Sequence, residues 1–157
     1  MHVIVLMGLV SIEKGDLAIA LAEHYTAQGK RVVVVDNLRR VGIDPEQLSA
    51  ATYHAVRGEL AAALPTLPAA DVMIIATAED AEPEALYIAL QDWGAQQPHI
   101  SLETVALIDL RTCDCFPHMR ALLEQLADTT LYAPFHLQDL FAEPGAPTET
   151  GAKPQPR

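Results

Sequence analysis

Val3-Ile4-Val5-Leu6-Met7-Gly8-Leu9-Val10-Ser11-Ile12-Glu13-Lys14-Gly15-Asp16-Leu17-Ala18-Ile19-Ala20-Leu21-Ala22 changes character part-way along. A continuous apolar run ends at Gly8, a mixed segment follows, and an apolar helix-forming run begins after Asp16. An unbroken apolar run of strand length suits a strand covered on both faces, and a helix straight after it opens a strand–helix–strand unit. Asp16 is a capping residue for a helix through Tyr25, and Gly29 is its stop.

Working outward, four more β-rich runs follow: Arg31–Asp36, Asp71–Thr77, Thr104–Leu110 and Thr129–Ala133. Helical stretches are predicted between them. Asp44, Pro45 and Gln47 form a capping signature for a second helix towards Leu64, bent at Gly58. Pro83 opens a third, stopped at Gly94, and Pro117 opens a fourth through Leu126, with a short turn near Leu137–Phe141. Strand and helix alternate, so the expected fold is α/β: a doubly wound, mainly parallel five-stranded sheet with helices on both faces. One domain is expected over residues 1–142. Residues 143–157, rich in Pro, Gly, Thr and Glu without apolar periodicity, are expected to form a disordered tail.

Composition narrows the possible functions. The chain has 157 residues, 50% of them apolar but only 5% aromatic, so the core must be built from Val, Ile, Leu and Ala. A net charge of −11 repels phosphate backbones and argues against a nucleic-acid partner. No apolar run reaches the roughly 18–20 residues of a membrane span. Two cysteines and a start that reads as a strand point to a cytoplasmic protein.

The segment Gly8–Gly15 sits where backbone N–H groups and a helix N-terminus can converge on an anion. The phosphate-binding pattern there is G-x-x-x-x-G-K-[ST]. Gly8 and Lys14 fall on that spacing, whereas Glu13 replaces the second glycine and Gly15 the hydroxyl residue. The first change puts a carboxylate beside the phosphate position, and the second removes the side chain that holds Mg²⁺.

The stretch Lys14–Ala22, then Gln28-Gly29-Lys30-Arg31-Val32-Val33-Val34-Val35-Asp36, resembles the opening of the ParA/MinD branch of P-loop ATPases. That branch also includes the nitrogenase iron protein and dethiobiotin synthetase-like enzymes. Ala70–Glu79 is similar to a later strand and loop of the family. The likeness is close over residues 1–37 and looser over 68–135. The family's Walker B strand, with its aspartate and glycine, has no counterpart in the sequence, and the chain is shorter than typical members.

The resemblance implies Lys14 and Asp36 as the catalytic pair, one on the phosphates, the other near Mg²⁺ and the attacking water. It implies Gly8, Ser11, Lys14, Gly15 and Asp16 around the phosphates, Asp109 and Arg111 at the nucleotide base, and ATP with Mg²⁺ as cofactor. Members of the family dimerise over nucleotide, so the implied partner is a second copy or an intact ATPase relative. With its departures from the motif, the chain is expected to be a nucleotide-binding or protein-binding accessory subunit with little or no hydrolysis. Three alternatives stand beside this. One is an active ATPase with a deviant loop. Another is a dinucleotide site using Asp36, although only Gly8 and Gly15 supply the first turn. The third is a metal or thiol module on Cys113, Cys115 and His118, a set one ligand short of a closed zinc site.

Overall fold

In a computed structural model, which describes residues 1–142, six strands form one sheet. They are β1 (His2–Met7), β2 (Val32–Asp36), β3 (Thr52–Ala55), β4 (Val72–Ala76), β5 (Ser101–Ile108) and β6 (Thr129–Tyr132). The spatial order is β3-β2-β4-β1-β5-β6, and every neighbouring pair is parallel. The helices are α1 (Ile12–Ala27), α2 (Leu60–Ala63), α3 (Pro83–Ala95), α4 (Leu110–Cys113) and α5 (Pro117–Leu126), with 3-10 turns at Pro45–Gln47, Leu64–Thr66 and Leu137–Leu140.

The continuous apolar runs become central strands because both faces are covered. Val3, Val5, Val35, Met73 and Ile75 face one way, onto Leu60, Leu86, Leu90, Trp93 and Leu123 of α2, α3 and α5. Ile4, Leu6, Val34 and Ile74 face the other way, onto Leu17, Ala18 and Leu21 of α1. Phe135, Leu137 and Leu140 extend that second layer. Each fully buried Val, Leu or Ile contributes about 1.5–3 kcal/mol, so the two layers make the sheet the stable frame of the site.

Three sequence expectations are corrected here. The sheet has six strands, not five, because Thr52–Ala55 adds itself to the β2 edge, with Val35 level with His54. The single helix expected from Asp44 to Leu64 does not form. Asp44 does cap, accepting from the Glu46 N–H at 3.0 Å, but only the one turn Pro45–Gln47 results. The chain then becomes extended, because Thr52 and Tyr53 gain a β2 partner that an isolated turn cannot match. Finally, α1 starts at Ile12 rather than near Asp16, with the Gly15 N–H donating to the Ser11 carbonyl at 3.0 Å. The tail expected at 143–157 lies outside the described residues. No helix among the described residues is long and apolar enough to cross a membrane.

Candidate functional site

The chain leaves β1 through α1 towards β2, and leaves β4 through α3 towards β5, in opposite directions and on opposite faces. The topological switch point therefore lies between β1 and β4, where open α/β sheets place their ligands beyond the strand carboxyl ends. Leu6 and Asp36 both pair level with Ala76, so the Gly8 loop, Thr77 and Asn37 emerge side by side. The Thr77 N–H and hydroxyl both donate to the Leu6 carbonyl, at 3.1 and 2.8 Å, which fixes this edge.

Gly8 turns the chain out of β1 with φ +135, and a Cβ there would lie 2.4 Å from the Leu107 carbonyl oxygen. Only glycine fits so close to the β5 backbone. Because α1 begins at Ile12, Glu13, Lys14 and Gly15 belong to its first turn rather than to an extended phosphate loop. Glu13 and Asp16 point into solvent, while Gly15 is buried beside Ile43 and Leu38.

Lys14 is fully buried, and its Nζ donates to the carbonyls of Gly8 at 2.6 Å and Thr77 at 2.8 Å. The ammonium thus bridges the carboxyl ends of β1 and β4 at the switch point. Burial lowers its pKa to about 7, against an opposing pull from the carboxylates of Glu79 and Asp80.

Asp36 is equally buried. One carboxylate oxygen accepts from the Leu38 N–H at 3.0 Å; the other accepts from the Ile43 N–H at 2.9 Å and the Tyr53 hydroxyl at 2.7 Å. The structure gives Asp36 the job of folding the 37–43 loop and anchoring β3. Ser11 donates to Glu79 at 2.6 Å, and the Val41 N–H donates to the Ser11 hydroxyl at 3.2 Å. Burial would raise the Glu79 pKa, but donation from Ser11 and from the Arg39 and Arg40 N–H groups outweighs it and holds the carboxyl below its usual range. Among the described residues every buried side-chain nitrogen and oxygen has a hydrogen-bond partner.

Mg²⁺, which the resemblance implies, does not fit this arrangement. Gly15 offers no hydroxyl, and the Asp36 carboxylate is already committed to three donors.

Two clefts flank the switch point. One of about 320 Å³ opens between Asn37, Arg39, Glu59, Asp80 and Glu82. The other, about 390 Å³, lies between α1 and the end of β5, lined by Glu13, Asp16, Asp109, Arg111, Phe135 and Leu137. Asp109 caps α4 through the Arg111 N–H at 3.0 Å and meets the same residue's guanidinium at 2.9 and 3.2 Å. That hydrogen-bonded pairing holds the Asp109 carboxyl below its usual range.

The fold therefore brings Gly8, Ser11, Lys14 and Gly15 to the switch point and sets Asp16, Asp109 and Arg111 around the adjoining cleft. Cys113 is buried, Cys115 is exposed, and both are free thiols. Burial raises the Cys113 pKa, so that thiol is a poor nucleophile. Among the described residues no group of three or more His, Cys, Asp or Glu side chains is placed to hold a metal ion, Cys113, Cys115 and His118 included. Sequence reading missed Glu79 and Tyr53, which close the network. Glu79 sits within a stretch quoted for its family likeness, so its strand-end position was visible while its partners were not.

No family model matches the sequence, and no curated protein does either. Solved structures do match in shape. The Signal Recognition Particle 54 kDa protein from Aeropyrum pernix K1, in complex with GDP, aligns with TM-score 0.55 and 19% identity, over 83% of this chain and 34% of that one. FtsY from Mycoplasma mycoides aligns at 0.55 and 15%, over 84% and 51%. FtsY from Thermotoga maritima aligns at 0.52 and 21%, over 84% and 52%. The chain spans about a third to a half of the length of these structures. What it shares with them is the fold, a parallel sheet flanked by helices.

Proposed function

We propose that this chain is a ParA/MinD-like P-loop domain that has given up hydrolysis and serves as an accessory subunit bound to a protein partner. One observation carries the reading: the groups that would act on a nucleotide are bonded to the protein itself. Lys14 is held by two carbonyls, Asp36 by three donors and Ser11 by Glu79. A nucleotide would have to break these bonds before gaining its own. The loops around the site offer contact groups instead. Ile12 and Val41 are half exposed, at 57% and 50%, with Arg39 and Arg40 beside Val41. An apolar pair edged by arginine is the composition of interface anchors. The partner in this reading is a second copy or an intact ATPase relative.

A rival to the closed-site reading keeps nucleotide binding without turnover, in the second cleft. Glu13, Asp16, Asp109 and Arg111 line that cleft, and in this rival reading Asp109 and Arg111 would meet the base. The neighbour solved with GDP supports nucleotide as the ligand class of the fold, with ATP the nucleotide implied by the sequence likeness.

Phosphate release from ATP or GTP with Mg²⁺ tests the absence of hydrolysis. The expected rate is the uncatalysed background, identical for the wild type and Lys14→Ala. Turnover that disappears in Lys14→Ala would assign Lys14 to catalysis and end the accessory reading.

A further inference from the structure

Glu79 follows the strand next to β1 and is only 4% exposed. Donors converge on its carboxylate from two separate loops. The Ser11 hydroxyl, from the loop before α1, lies at 2.6 Å from Oε1. The N–H groups of Arg39 and Arg40, from the loop after β2, lie at 2.9 Å from Oε2 and 3.4 Å from Oε1. Val41 closes the circle by donating its N–H to the Ser11 oxygen at 3.2 Å. A hydroxyl, two consecutive backbone N–H groups and a buried ammonium within Coulombic reach make a donor set suited to an oxyanion.

We propose that Glu79 is a tethered occupant of an oxyanion site, its carboxylate standing where a phosphate-class anion would sit and locking the 37–43 loop onto the start of α1. This rests on the closed-site reading above and names the group that does the closing. Two features distinguish it from an ordinary surface contact. The carboxylate hydrogen-bonds the start of α1 to the Arg39–Val41 backbone, and among the described residues the other hydrogen bonds between these two segments run through Ser11. It is also anionic, in a chain whose formal charge of −11 gives no reason to bury another negative group except against matched donors. Because Glu79 is part of the chain, its effective concentration at these donors is on the order of millimolar or higher, and a free anion must outcompete it.

Inorganic pyrophosphate is the probe, titrated by calorimetry into the full chain. The wild type is expected to bind none up to about 10 mM, whereas Glu79→Ala should bind at least tenfold more tightly than that limit, about 1.4 kcal/mol. In unliganded Glu79→Ala, the amides of Arg39 and Arg40 should exchange at least tenfold faster with solvent, and pyrophosphate should restore their protection. Glu79→Gln keeps the shape and one acceptor while losing the charge. It should admit pyrophosphate more weakly than Glu79→Ala, and it carries the test if the alanine variant does not fold. A folded variant that binds no pyrophosphate would overturn the proposal, as would a wild type that binds as tightly as the variant. Silence in the wild type and variants alike removes the tethered occupant and leaves the closed-site reading standing. Turnover of nucleotide by the wild type removes the closed-site reading itself.

Discussion

Gly8→Ala is expected to lower stability by about 4 kcal/mol or more, a large part of the 5–15 kcal/mol that holds a typical domain together. Two costs combine. At φ +135 an L side chain is strained, and the new Cβ would meet the Leu107 carbonyl oxygen at 2.4 Å. That oxygen belongs to β5, a strand paired on both sides, so the clash cannot be relieved by turning a side chain. β1 and β5 must separate instead, which disturbs the centre of the sheet. Thermal melting should show a fall of roughly 10 °C or more, or no folded protein at all. Gly58→Ala is the control, because its Cβ would touch nothing within 4 Å and its φ is unremarkable. Its melting temperature should stay within a few degrees of the wild type. A Gly8→Ala protein as stable as Gly58→Ala would mean that the loop does not leave β1 as described.

The second large effect is a dependence of stability on pH that Lys14 imposes. Its pKa falls from 10.5 to about 7 on folding, so between those values the unfolded chain binds the proton and the folded chain does not. More protons on the unfolded state means that stability rises with pH across that window. Between pH 7 and 9.5 the gain should be about 3 kcal/mol, lost again as pH falls back towards 7. Cys113 works against this near the top of the window, because its raised pKa keeps the folded thiol protonated while the unfolded thiol ionises. The contribution of Lys14 is therefore read as a difference of slopes. Denaturant unfolding of the wild type and Lys14→Met at several pH values should give a steeper rise for the wild type. Equal slopes would place the ammonium in water and not at the switch point.

How much of this could be read in the sequence depends on the range of the interaction involved. Val3–Met7 and Asp71–Thr77 were legible as strands because a sheet covered on both faces requires unbroken apolar runs, and both runs are in β1 and β4. β3 was not legible. Thr52-Tyr53-His54-Ala55 is a half-exposed edge strand with no apolar run, and the capping signature at Asp44–Gln47 is real but serves one turn. The start of α1 was misplaced because Asp16 has a capping side chain, whereas Ser11 holds the N-cap position while its hydroxyl bonds to Glu79 instead.

At the site, motif spacing and the family likeness drew attention to Gly8 and Lys14, and in the structure both lie where the chain turns out of β1. The partners of Asp36 were invisible because they lie at Leu38, Ile43 and Tyr53, brought together only when β3 pairs with β2. Glu79 lies 68 residues from Ser11, a separation that no local pattern reports.

Equilibrium titration of the wild-type chain with ATP and with GTP, each with Mg²⁺, tests the closed site most directly. Side chains that already satisfy one another should leave no binding tighter than about 1 mM, or −4 kcal/mol. Binding of either nucleotide at micromolar concentration, weakened tenfold or more by Lys14→Ala, would contradict the account.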